Sequence, residues 1–160
     1  MSENLNNIGV INAVVILSEF NKDIVENLYK GVQKRFSENA LKINEKKIYV
    51  PGAFELPFIA KEIQKKDFDN DKKLNFIITL GCIIKGETAH FDYISNACTN
   101  SLANLNLQSH IPIIFGVITA YNKEQAISRS QTDFKNNDNL NIGYNVANAA
   151  FKVIESIKKV

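Results

Sequence analysis

Residues 80–93 read Leu-Gly-Cys-Ile-Ile-Lys-Gly-Glu-Thr-Ala-His-Phe-Asp-Tyr, a stretch crowded with groups that move protons and hold anions. It continues the apolar run Phe76-Ile77-Ile78-Thr79-Leu80, is interrupted by Gly81 and Gly86, and carries Lys85, Glu87, Thr88, His90 and Asp92 ahead of a helical spacing. Open α/β folds bind small ligands where a strand's carboxyl end opens into such a loop. Gly86 and Thr88 before a helix start can offer backbone N–H groups and a hydroxyl to an anion. An imidazole at His90, two residues on, exchanges protons near neutral pH. The plain alternative is an ordinary βα loop with a capping threonine and a surface histidine.

Three further groups bear on chemistry. Phe20-Asn21 follows the first apolar run. An aromatic there can stack on a planar ligand, or it can staple a helix that Asn21 caps. In Pro51-Gly52-Ala53-Phe54-Glu55-Leu56-Pro57, glycine permits close backbone approach, Ala53 and Phe54 place N–H groups at a helix start, and Glu55 can accept hydrogen bonds from hydroxyls or amines. Glu55 alone could simply complement the helix dipole. Arg129 is one of two arginines, with Arg35; its fork suits phosphate or carboxylate, although a solvated helix-end arginine is the simpler reading. Phe115 reads most simply as core.

The elements that position these residues alternate. Ile8 to Leu17 predicts a strand buried on both faces. A helix follows with Ile24, Leu28, Val32 and Phe36 on one face. Ile43 to Val50 is a less apolar strand, hence nearer an edge. A helix from about Ala53 to Lys65 turns Phe54, Phe58 and Ile59 inward, with Pro57 in its first turn. Phe76 to Ile84 is the third strand, and Phe91, Ile94, Cys98, Leu102 and Leu105 mark the third helix. Ile111 to Thr119 is the fourth strand, a helix begins near Lys123, and a last one from Gly143 lines up Val146, Ala150, Val153 and Ile157. Asn136 to Asn145 reads as a loop. Four strands alternating with helices predict an α/β fold, a parallel sheet covered on both faces. The loops 18–22, 51–55, 81–92 and 119–123 then share one rim.

Composition narrows the classes. A chain of 160 residues, 45% hydrophobic, suggests one domain, residues 1–160, with a real core. The net charge of +2, with lysines and acids interspersed, argues against a nucleic-acid partner. Two cysteines, Cys82 and Cys98, give no disulfide framework and are expected reduced and packed. With two histidines and no cysteine cluster, a metal site is not expected. No apolar run is long enough to span a membrane and the first residues lack a signal pattern, so a cytoplasmic enzyme or binding protein is expected.

Together the blocks 50–57, 79–93 and 112–119, then Glu124-Gln125-Ala126 with Arg129, resemble the 6,7-dimethyl-8-ribityllumazine synthase family of riboflavin biosynthesis. The likeness runs from Phe20-Asn21 to about Arg129 and resumes at Gly143. It implies a flavodoxin-like three-layer αβα sandwich with a four-stranded parallel sheet. It implies condensation of 5-amino-6-(D-ribitylamino)uracil with 3,4-dihydroxy-2-butanone 4-phosphate, without a cofactor. By resemblance Phe20 stacks on the pyrimidine; Ala53, Phe54 and Glu55 line the ring and ribityl chain; Cys82, Ile83 and Ile84 edge the uracil. Glu87 and Thr88 match the phosphate turn, and His90 the proton-transfer residue. Phe115 and Arg129 match residues that complete the site from a neighbouring subunit of a pentamer, and riboflavin synthase is a candidate partner.

Two positions depart from the family pattern. Lys85 stands where arginine is usual. The stretch Gln131 to Ile142 replaces the usual Gly-Thr-Lys-Ala-Gly-Asn-Lys-Gly and is longer, with Ile142 where a lysine is common and Lys135 in the longer loop. Two rival functions remain open on the residues alone. One is a Schiff-base lyase using Lys85, which would need that amine desolvated. The other is a non-catalytic shell or flavin-binding protein, which would need none of Glu55, His90 and Arg129.

Overall fold

The computed structural model describes residues 9–67, 73–135 and 140–160. In chain order the elements are β1 (Val10–Ser18), α1 (Lys22–Ser37), β2 (Lys42–Val50), a 3-10 turn (Ala53–Glu55), α2 (Leu56–Asp67), β3 (Phe76–Ile84), α3 (His90–Gln108), β4 (Ile113–Ala120), α4 (Lys123–Ser128) and α5 (Ile142–Ile157). All strand pairs are parallel, in the order β2-β1-β3-β4. Strands β1 and β3 are central, which is why they are nearly continuous apolar runs. β2 alternates because it is an edge with one face in water.

Two apolar layers enclose the sheet, giving the three-layer flavodoxin-like sandwich. On one face α1 and α5 cover Ile11, Val15, Leu17, Ile78 and Leu80. There Phe36, Phe76 and Phe151 meet with centroids 5.8–6.1 Å apart, and the Arg35 guanidinium lies 4.8 Å from the Phe151 ring centre. On the other face α2 and α3 cover Val14, Ile16, Ile77 and Ile83 through Leu56, Ala60, Cys98 and Leu102.

The faces of two helices and one strand differ from expectation. In α2 the inward residues are Leu56, Ala60 and Gln64, and the half-buried Ile59 packs against the same core as expected, but Phe54 and Phe58 are 57% and 66% exposed. Beginning the α-helix at Leu56, after a 3-10 turn, rotates the phenylalanines outward. In α5 the buried stripe is Gly143, Val146, Ala147, Ala150, Phe151 and Ile154. Val146 and Ala150 are buried as expected, while Val153 is half-buried and Ile157, at the helix end, is exposed. Phe115 is 39% exposed rather than core, because β4 is an edge strand. β1 starts at Val10; Ile8 lies outside the described residues. Within the stretch read as a loop, residues 136–139 also lie outside them, while 142–145 are helical.

Asn141 organises the start of α5. It is fully buried, and its amide donates to the carbonyls of Asn27 (3.0 Å) and Gln131 (2.9 Å) while its Oδ1 accepts from Tyr144 N (3.1 Å). One side chain thus caps α5 and ties it to α1 and to the segment after α4.

Candidate functional site at the carboxyl ends of the strands

Because every strand is parallel, the loops after β1, β2 and β3 converge on one rim. The β1 loop leans toward β2: Glu19 N donates to Val50 O (2.8 Å) and Phe20 N to Pro51 O (3.1 Å). These bonds set Phe20 beside the Pro51-Gly52 turn with its ring 71% exposed. In that turn Glu55 N donates to Gly52 O (3.3 Å). The Glu55 carboxylate folds back so far that a Cβ at residue 52 would sit 3.1 Å from its Oε2. Ala53 is buried beneath.

Asn21 behaves differently from the cap expected. Its backbone stands at the N-cap position, with its carbonyl accepting from Ile24 N (3.0 Å) and Val25 N (3.2 Å). Its side chain makes no capping bond; Nδ2 donates instead to the carbonyl of Cys82, 2.9 Å away on β3.

β3 runs through Gly81 without a break to Ile84, so the chain leaves the sheet at Lys85. The side chains of Cys82 and Ile83 enter opposite layers, and Ile84 follows Cys82. What this segment presents at the rim is therefore backbone. Burial pushes the Cys82 and Cys98 thiols up to about 11; both are free and buried, as expected. Lys85 N donates to Ala120 O (2.9 Å), and the exposed Lys85 amine hangs 5.6 Å from the Tyr121 ring centre. An exposed amine lacks the desolvation a Schiff-base nucleophile needs.

Gly86, Glu87 and Thr88 are exposed, and nothing lies within 4 Å of a Cβ built at Gly86. α3 begins at His90, not after Asp92, so both residues belong to its first turn. His90 N donates to Thr88 Oγ1 over a long 3.4 Å, and the exposed imidazole sits at the positive end of a 19-residue helix.

In the single chain Phe115 lies back from this rim. Phe115 pairs with Thr79 on the far side of β3 from β1. It lies four residues, about 13 Å at strand rise, before Thr119. Arg129 ends α4, exposed, with Nη1 3.4 Å from Ser128 Oγ. Lys135 is exposed and bonds through its backbone to Asp133.

The structure also shows features that sequence reasoning missed. A cleft of about 320 Å³ opens between the first turns of α3 and the end of β4, lined by Phe91, Asp92, Ser95, Asn96, Thr119, Ala120 and Tyr121. Only the shared-rim argument for 119–123 hinted at it. Ser18 Oγ and Ser95 Oγ are buried without a hydrogen-bond partner among the described residues. Ser18 lies near Gly81, where a Cβ would be 3.4 Å from its hydroxyl.

A parallel αβα sandwich whose strand ends carry an aromatic, a carboxylate, an open Gly-Glu-Thr turn and an imidazole belongs to the α/β class that binds and transforms small molecules in such crevices. Residues 11–158 match the family model for 6,7-dimethyl-8-ribityllumazine synthase. The chain belongs to that family of riboflavin-biosynthetic transferases, whose members bind small substrates and assemble as oligomers. It is similar to the 6,7-dimethyl-8-ribityllumazine synthase of Buchnera aphidicola subsp. Baizongia pistaciae, 43% identical over 78% of this chain and 77% of that one. It is similar to the enzyme of that name from Vesicomyosocius okutanii subsp. Calyptogena okutanii, 38% identical over 72% and 70%. It is also similar to 6,7-dimethyl-8-ribityllumazine synthase 1 of Caulobacter vibrioides, 33% identical over 91% and 90%.

Proposed function

We propose that the rim formed by the loops after β1, β2 and β3 condenses 5-amino-6-(D-ribitylamino)uracil with 3,4-dihydroxy-2-butanone 4-phosphate. The observation that carries this reading is the stitching of three separate sequence blocks into one rim, through Phe20 N to Pro51 O and Asn21 Nδ2 to Cys82 O. Phe20 stacks on the pyrimidine, whose edge meets the backbone of Cys82, Ile83 and Ile84. Ala53, Phe54 and Glu55 hold the ring and ribityl hydroxyls. The phosphate rests on the N–H groups of Glu87 and Thr88, near the positive end of α3.

The pyrimidine amine attacks the butanone carbonyl, giving a carbinolamine that loses water to an imine. Removal of the proton alpha to the imine expels inorganic phosphate. The resulting enol tautomerises to a ketone, the ribityl nitrogen closes the ring on it, and a second water leaves. Each step needs orientation and proton traffic, and His90 carries the protons. Phosphate must bind and then depart, a task suited to backbone donors and one arginine.

Phe115, set back from its own rim, and Arg129 complete the site of a neighbouring subunit in a pentamer. The exposed Phe58, Tyr93 and Phe115 supply apolar surface of the kind a subunit contact covers. The chain works as one domain in the cytoplasm, with riboflavin synthase as an associate; among the described residues no helix is long and apolar enough to cross a membrane. Incubating the purified protein with both substrates and following lumazine absorbance tests the reading. Formation of the lumazine with release of one phosphate per turnover is expected, and its absence from a correctly folded preparation would overturn it.

A further inference from the structure

Asn21 is the one non-glycine residue with positive φ among the described residues (φ 56°, ψ 44°). Asparagine tolerates this left-handed backbone far better than most side chains. The conformation has a structural consequence. The ladder between β1 and β3 ends at Leu17 and Leu80, and beyond it β3 continues to Ile84 paired only with β4. The β1-facing edge of residues 82–84 therefore has no strand beside it. The left-handed turn at Asn21 sends its amide across this gap, and Nδ2 donates to the Cys82 carbonyl at 2.9 Å as a strand amide would. Phe20, the adjacent residue, is held on its other side through its N–H to Pro51 O.

We infer that Asn21 is a positioning residue for the pyrimidine subsite. It locks the Phe20 turn against the free edge of β3, and so sets the distance between the stacking ring and the backbone that reads the pyrimidine. It occupies the Cys82 carbonyl and leaves the remainder of that edge for the ligand. The inference rests on the assignment of Phe20 and residues 82–84 to the pyrimidine. The butanone phosphate, bound on the turn after β3, does not depend on this link.

Two variants separate the link from the fold. Asn21→Gly keeps the left-handed backbone and removes the amide. Asn21→Asp keeps the shape but turns an acceptor toward a carbonyl. Steady-state kinetics with each substrate varied in turn, on the assembled enzyme, should show the KM for the pyrimidine rising about tenfold in both variants, the scale of one lost hydrogen bond. The KM for the butanone phosphate should stay within about twofold, since that ligand does not use the link. Phe20→Ala is measured alongside. If Phe20→Ala raises the pyrimidine KM while the Asn21 variants leave it unchanged, move both KM values together, or lower only the melting temperature, Asn21 is structural and this inference falls alone. If Phe20→Ala leaves the pyrimidine KM unchanged, the assignment of the rim falls and the inference with it.

Discussion

Gly143 of α5 lies directly on the backbone carbonyl of Leu28 in α1: a Cβ at residue 143 would overlap that carbonyl oxygen, and would stand 2.9 Å from the Leu28 Cα. Gly31 makes the reciprocal approach from α1, where a Cβ would stand 2.7 Å from Tyr144 N and overlap the Asn141 side chain. Two helices meet here backbone to backbone, and that contact lets α5 close the layer over β3 and β4.

Gly143→Ala is therefore expected to force the two helices apart. Overpacking a fixed backbone contact costs about 1–3 kcal/mol or more, and here it also disturbs the buried Asn141 bonds. Urea unfolding should show the midpoint displaced to lower denaturant. A midpoint within error of the parent would mean that the crossing relaxes freely.

His90→Ala is expected to lower turnover by about 10²-fold, at the low end of the range for general acid–base groups. The imidazole is exposed and its removal leaves no cavity, so thermal stability should be unchanged. Unaltered turnover in the folded variant would remove His90 from the proton-transfer role.

Arg129→Ala is expected to raise the KM for the phosphorylated substrate well above any change for the pyrimidine. Co-assembling His90→Ala chains with Arg129→Ala chains should restore activity, because some interfaces then pair an intact His90 with an intact Arg129. Mixing without subunit exchange should not. Equal effects on both substrates, or no complementation after verified co-assembly, would return Arg129 to the role of a surface cation.

Tyr29→Phe reports on the sheet edge. Burial, and then the 2.5 Å hydrogen bond that Tyr29 donates to Glu45, push its phenol far above the ordinary value. The folded state holds a proton that the unfolded chain releases near pH 10, so this contribution is full below about pH 10 and is lost as pH rises beyond it. The parent should be more stable than Tyr29→Phe at neutral pH, and the gap should close progressively above pH 10. Equal unfolding midpoints at pH 8 would show that the hydrogen bond adds nothing net.

Much of this molecule was legible in the order of its residues. The third strand, expected over Phe76 to Ile84, has those limits, because a strand buried on both faces needs an unbroken apolar run. The less apolar second strand was legible as an edge, because a strand with one wet face alternates. Once parallel pairing is granted, the alternation of strands and helices places 18–22, 51–55 and the chain after β3 on a single rim. The motifs there were sufficient to name the family.

Tertiary structure alone decided which side of an apolar residue faces inward and what each polar group touches. Phe54, Phe58 and Phe115 carry the same hydrophobic signal as Leu56 and Leu102, yet stay exposed in the single chain. Hydrophobicity records that a side chain favours burial but not the surface that buries it. Asn21 reads as a helix cap, and Asn141 falls in a stretch that reads as a loop. The fold made Asn141 a cap and a three-way tie, and turned Asn21 away to a carbonyl 61 residues distant in sequence. A polar side chain is satisfied by whichever partner the folded backbone brings within about 3 Å, and long-range partners are not encoded in local spacing.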